Sequence, residues 1–249
     1  MKKIFFVLFT FIIIVSCNKV AYKNTKIVAK TIPVDSLLKT DSIYTNVIAP
    51  YREKMIHEIS KVISYTPKNL VRTDGNMQST LGNLMADLCY KKGNSLFKKA
   101  YDKEIDFALF NYGGIRSGIF KGDVTNRNVF QLMPFENTFV VVELSGEKVE
   151  ELIRYFINNK RAHPLSKEIQ LTIKKDGYSL LIRGKAFDKT KTYHVLTHNY
   201  LQSGGDRMDF FKEPIKLYAL DYKVRDAIAS YFKSVDTLYS KLDNRVIFN

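Results

Sequence analysis

Two apolar runs in this chain each lead to a pair of glycines. Ile105 to Phe110 enters Asn111-Tyr112-Gly113-Gly114-Ile115-Arg116, and Tyr193 to Leu196 leads through Asn199-Tyr200 to Ser203-Gly204-Gly205-Asp206. A short apolar run bounded by glycine reads as a buried strand that feeds a tight loop. Two such units in one chain require a sheet that buries both, with other elements packed on it.

The segments around them supply those elements. Val47, Tyr51, Met55, Ile59 and Val62-Ile63 recur at helical spacing and predict a first amphipathic helix. Leu81, Leu84, Met85 and Leu88 predict a second, starting after Ser79-Thr80, whose hydroxyls can accept the free amide hydrogens of a helix start. Phe139 to Leu144 reads as a strand, followed by a helix opened by Ser145-Gly146-Glu147 with Val149, Leu152, Ile153 and Phe156 on one face. Ile169 to Ile173 and Tyr178 to Ile182 flank Lys174-Lys175-Asp176-Gly177, and Asp-Gly between two strands is a strong hairpin signal. Tyr222 to Phe232 predicts a late helix. Strands interleaved with helices but including a hairpin indicate an α+β, mixed α/β domain.

The N-terminus predicts export. Lys2 and Lys3 precede an apolar run from Ile4 to Val15 and then Ser16-Cys17. That run is shorter than the ~20 residues a helix needs to cross a bilayer, and its order is that of a secretory signal. A small residue just before cysteine suits a lipoprotein signal peptidase, so residues 1–16 are expected to leave and Cys17 to carry the lipid. Residues 17–45, rich in Lys, Thr and Ser, are expected to be a flexible tether, and 46–249 the folded domain. The expected location is the periplasmic or outer face of a bacterial membrane. Cys89 is then the remaining thiol, too few for a disulfide framework, and its apolar segment makes it a core residue.

With 45% hydrophobic residues, 17 Phe and 15 Tyr, one large core can be buried. The net charge of +14 falls to +12 without Lys2 and Lys3. The lysines are scattered in pairs such as Lys91-Lys92 and Lys98-Lys99, so they read as solvated faces and not as a nucleic-acid surface. Such a field also concentrates small anionic ligands.

Ligands in sheets of this kind collect where strand ends feed loops. In the first loop Gly113 and Gly114 permit close backbone approach, Asn111 can donate and accept, and Arg116 carries a planar fork suited to phosphate or carboxylate. In the second, Asp206 can accept from two sugar hydroxyls. Phe135 and Tyr200 are aromatics at loop positions, available for stacking on a planar base. Taken singly, each loop reads as a tight turn and each aromatic as core.

Five motifs occur in order: Leu81-Gly-Asn-Leu-Met-Ala-Asp87, Asn111-x-Gly-Gly-Ile-Arg116, Pro134-Phe135-x-Asn137, Leu144-Ser-Gly-Glu-Lys-Val149 and Asn199-Tyr200-x-x-Ser-Gly-Gly-Asp206. From about Val47 onward the chain resembles the C-terminal, substrate-recognising domain of the 5'-nucleotidase and UDP-sugar hydrolase family, which implies a layered α/β/α/β fold. The resemblance implies that Phe135 and Tyr200 clamp a base, that Asn111 and Asn137 bond it, and that Arg116 reaches ribose or phosphate oxygens. It also implies that Asp206 holds the ribose hydroxyls, with Gly113, Gly114, Gly204 and Gly205 lining the site. Two positions depart from the pattern. Gly75 stands where relatives carry arginine, with Arg72 only nearby, and Tyr112 replaces the first of three loop glycines.

In the family, hydrolysis belongs to a separate domain that holds two metals through Asp-x-His and Gly-Asn-His-Asp/Glu motifs. Neither motif occurs in these 249 residues, whose histidines are His57, His163, His194 and His198. His194 and His198 have helical metal-pair spacing but fall on a strand and its exit, where they would stand about 13 Å apart. No cofactor or metal is therefore expected in this chain. Divalent metals belong to an expected partner, a separately made metallophosphatase. The alternative expectation is a non-catalytic lipoprotein that reuses the fold for another ligand or protein.

Overall fold

A computed structural model describes residues 22–248. The signal and Cys17 lie outside the described residues. Packing divides the chain into two units, residues 1–48 and 49–249. In the first unit, residues 22–41 have no regular structure beyond a turn at 36–38. The Asp35 carboxylate accepts the Leu37 amide there, at 2.9 Å.

Helix α1 (Ser42–Ile59) begins ahead of the expected boundary at residue 46, because the Asp41 carboxylate accepts the amides of Ile43 and Tyr44. It departs from expectation in a second way. None of its residues is buried, and Val47, Tyr51 and Met55 are all exposed. Val62 and Ile63 are not its last turn. They open strand β1 (Val62–Thr66), which pairs antiparallel with β3 (Gly122–Thr125). Ladder bonds and the packing of Ile63 on the core outweigh a helical spacing that carried no propensity of its own.

The second helix, α2 (Thr80–Tyr101), starts where the hydroxyls predicted. Ser79 Oγ accepts the Gly82 amide at 3.0 Å. Cys89 is buried in the core, and burial pushes its thiol pKa up. The first glycine-terminated run contributes only a short strand, β2 (Phe107–Ala108). Helix α3 (Asn126–Leu132) precedes β4 (Thr138–Ser145), which passes directly into α4 (Gly146–Asn159) with Ser145 as its cap. Val149, Leu152, Ile153 and Phe156 are its buried face, as the periodicity required.

The Asp-Gly hairpin forms as β5 (Ile169–Lys174) and β6 (Gly177–Ile182), with Lys174 opposite Gly177. Gly177 has φ +142°, a conformation that L side chains rarely adopt. Strand β7 (Lys185–Ala186) extends this sheet on one side. The second run becomes β8 (Thr192–His198), followed by one helical turn, α5 (Asn199–Gln202). The late helix, α6, covers Val224–Lys233. Tyr222 lies before it, in strand β9 (Lys216–Lys223), which has Lys216, Asp221 and Lys223 along it and forms the sheet edge. An edge strand has one free side, so its polar residues hide it from an apolar-run search. Strand β10 (Val246–Phe248) pairs parallel with β5.

The central sheet has the order β2-β8-β4-β9, and its side chains alternate between two cores. Ala108, Phe139, Val141 and Leu196 pack with α2, α3 and α6, whereas Phe107, Val142, Leu144 and Val195 pack with α4 and the β10-β5-β6-β7 sheet. Period-2 alternation along each strand thus produces the layers α, β, α, β. The fold is the mixed α/β, layered arrangement expected.

Candidate functional site

Strand direction gathers the site. β2 and β8 are parallel neighbours, Phe107 opposite Val195, so both glycine loops leave the same end of the sheet. β4 is antiparallel to β8, with Phe139 opposite His198, so the segment just before β4 arrives at that end too. It carries Phe135 and Asn137. Residues from three distant stretches of chain therefore meet around a cavity of about 290 Å³ lined by Asn111, Gly113, Gly114, Arg116, Phe135, Asn137, Tyr200 and Asp206.

Gly204 and Gly205 do not line it. They shape the loop behind. Gly204 has φ +93°, and a Cβ on Gly205 would come within 2.4 Å of the Tyr200 ring. The glycine lets that ring lie down beside the cavity. Gly113 is on the cavity wall, where a Cβ would stand 3.5 Å from Asp206 Oδ2, in ordinary contact.

The two loops are bonded to each other. Asn111 Nδ2 donates to Asp206 Oδ2 at 2.8 Å, and the Tyr200 hydroxyl donates to Asp206 Oδ1 at 3.0 Å. The Asp206 bond raises the Tyr200 pKa, since it favours the protonated phenol. Asp206 sits at φ 54°, ψ 23°, and its carbonyl accepts the Tyr155 hydroxyl at 2.9 Å. Each carboxylate oxygen keeps a second lone pair, so two further hydroxyls can still be accepted.

The Phe135 segment is held by charge. Arg225 donates to the Phe135 carbonyl at 3.3 Å and pairs with Glu136, which also takes Lys223 at 2.6 Å. Hydrogen bonds from Lys223 and Arg225 hold the Glu136 carboxyl down to about 2. Arg116 stands 5.8 Å from the Phe135 ring centroid, within cation–π range, and bonds the Gly113 carbonyl at 3.3 Å. Its side chain is exposed.

Three groups near the site were not among the expected site residues. His198 is buried, its ring lies 6.0 Å from Tyr200 at 28° between planes, and Nε2 is 3.3 Å from Asn111 Oδ1. His163 Nδ1 accepts the Tyr112 amide at 3.1 Å. Burial pushes both histidines down to about 4. Tyr155 is the third. His194 and His198 both lie on β8, and among the described residues no group of three His, Cys, Asp or Glu is arranged to hold a metal.

The departures at Gly75 and Tyr112 also have a physical form. A Cβ on Gly75 would stand 2.6 Å from the Gln78 carbonyl. Arg72 lies 4.3 Å over the Tyr112 ring and donates to the carbonyls of Tyr112 and Ile115. It braces the first loop and is not on the cavity wall. A larger cavity, about 600 Å³, lies between α2 and the C-terminal segment, where buried Arg245 is already held by Asp87, Asp243 and the Leu165 carbonyl.

A layered mixed sheet with two glycine loops and two aromatics around one cavity describes a substrate-recognition domain. The chain belongs to the family described as "5'-nucleotidase, C-terminal domain", whose profile matches residues 58–213. It is 31% identical over 185 residues to the trifunctional nucleotide phosphoesterase protein YfkN of Bacillus subtilis, a match covering 68% of this chain and 12% of that protein. With the human 5'-nucleotidase it shares 22% identity over 92% of this chain and 43% of the relative. A 5'-nucleotidase precursor from Thermus thermophilus has the same fold, at TM-score 0.67 and 21% identity, over 83% of this chain and 43% of that one. The chain thus spans less than half the length of these relatives.

Proposed function

We propose that this chain is an exported lipoprotein, anchored through Cys17, that binds a nucleoside or nucleotide for a 5'-nucleotidase-type hydrolysis carried out with a separately made metallophosphatase. One observation carries the proposal: Phe135, Tyr200, Arg116 and Asp206 line a single cavity. Two aromatic rings suit a flat heterocycle, a carboxylate with free lone pairs suits ribose hydroxyls, and an exposed guanidinium suits phosphate. The hydrolytic metals would belong to the partner, since two-metal chemistry clamps both the attacking and the leaving oxygen. The family relatives support a nucleotide ligand, and the Asp-x-His and Gly-Asn-His-Asp/Glu motifs are absent from these 249 residues.

Calorimetry with a panel of nucleosides and nucleoside monophosphates tests the binding. Saturable binding is expected, and no heat at millimolar ligand would end the proposal. Hydrolysis of nucleoside monophosphates at an enzymatic rate by the purified chain with Mn²⁺ or Zn²⁺ would contradict the division of labour. An exported protein with both metal motifs, encoded beside this one, would support it. The braced Arg72 and Tyr112 favour a second reading, a binding lipoprotein with another ligand, because neither side chain is on the cavity wall.

A further inference from the structure

The circuit that runs from Asp206 on the cavity wall through Asn111 to buried His198 has only one consistent set of donors and acceptors. Asp206, ionised, can only accept, so the side of the Asn111 amide that faces its Oδ2 at 2.8 Å must be the Nδ2 hydrogen. Asn111 Oδ1 then faces His198 Nε2, at 3.3 Å. Two acceptors would repel there, so Nε2 must carry the hydrogen. The other ring nitrogen, Nδ1, is thereby unprotonated and accepts the Leu201 amide at 3.4 Å, capping α5. Every position agrees with a neutral imidazole, and burial among Phe110 and the second-loop residues keeps it neutral against the pull of Asp206. Turning Asn111 over would set its Oδ1 against the Asp206 carboxylate, acceptor facing acceptor, which opposes the flip.

We propose that His198 is a positioning residue: by donating to Asn111 Oδ1 it fixes the amide of Asn111, itself on the cavity wall, with Nδ2 toward Asp206 and Oδ1 toward the ring, so that its remaining hydrogen and lone pair meet a ligand at set positions. The same ring supports Tyr200 from below, so one side chain sets both the polar and the stacking contact. The ligand half of this inference rests on the nucleotide reading given above. The orientation half does not. A ligand edge that bonds Asn111 therefore meets an amide whose orientation is already set, and loss of the His198 bond lets the amide reorient and weakens that contact.

Nitrogen NMR of the wild-type chain tests the orientation without any ligand. Nε2–H with unprotonated Nδ1 at His198 is expected at neutral pH. An Nδ1–H tautomer would overturn the proposal, because it would invert the amide. His198→Asn keeps an acceptor for the Leu201 amide but has no group that reaches Asn111, whereas His198→Gln can place an N–H near the former Nε2. The Asn111 side-chain amide shifts should move in His198→Asn and return toward wild type in His198→Gln. Calorimetry with AMP should show about tenfold weaker binding for His198→Asn, partly restored by His198→Gln, as loss of one hydrogen bond of about 1.4 kcal/mol predicts. Equal behaviour of the two variants in both measurements would overturn the proposal. If wild type binds no AMP, the ligand reading fails and the tautomer alone decides the orientation.

Discussion

Asn111 and Asp206 share a 2.8 Å hydrogen bond across 95 positions of sequence, and that bond joins the two glycine loops into one wall. It forms because β2 and β8 run side by side in the same direction, so that both loops leave the sheet together.

Removing either ring should weaken nucleotide binding. Phe135→Ala and Tyr200→Ala are each expected to lower affinity by about 1–3 kcal/mol, roughly ten- to a hundredfold, the usual worth of base stacking. Tyr200→Phe should lose less, since it keeps the stacking face and drops only the bond to Asp206 Oδ1. Calorimetry with AMP compares the three. Equal loss in Phe and Ala variants would assign the effect to the hydroxyl.

The Phe135 loop should depend on Arg225. This arginine ties the Phe135 carbonyl and the Glu136 carboxylate to the start of α6, so Arg225→Met is expected to leave the helix in place and free the loop. Affinity should fall about as far as in Phe135→Ala. Hydrogen exchange at residues 135–138, where the Thr138 amide bonds Asn199 Oδ1, should rise in the same variant, and unchanged exchange would contradict the assignment.

Acid should destabilise the fold through its buried histidines. His163 and His198 are held near 4 when folded, whereas a free histidine titrates near 6.5. Between those values the unfolded chain binds more protons, so stability is fully present above about pH 6.5 and is lost as pH falls toward 4. At pH 5 the loss is about 2 kcal/mol per histidine. Urea midpoints at pH 7.5 and pH 5 measure it. The difference should shrink in His163→Gln, and an unchanged difference would assign the acid sensitivity to other groups.

Arg245 should be a stability residue. Only 3% exposed, it is bonded by Asp87 on α2, by Asp243 and by the Leu165 carbonyl. Arg245→Met leaves two carboxylates without their cation in a partly buried place and should cost about 3–5 kcal/mol in chemical denaturation. Nucleotide affinity in the folded fraction should be unchanged, because this cluster does not touch the candidate cavity.

Local chemistry alone determined much of this protein. Ser79 and Ser145 as helix caps, the Asp176-Gly177 turn, the buried face of α4 and the two glycine loops all follow from residues within one or two turns of each other. The candidate cavity was legible because its residues sit in motifs whose order points to one family. Other features needed the tertiary structure. Val62 and Ile63 became a strand only because β3 offered them a partner, and β9 exists because an edge position tolerates Lys216, Asp221 and Lys223. Likewise, nothing near His198 in sequence says that it lies beneath Tyr200 and against Asn111. Such contacts are decided by which strands become neighbours, and that pairing is a property of the whole sheet, in which every strand competes for burial and for hydrogen-bond partners.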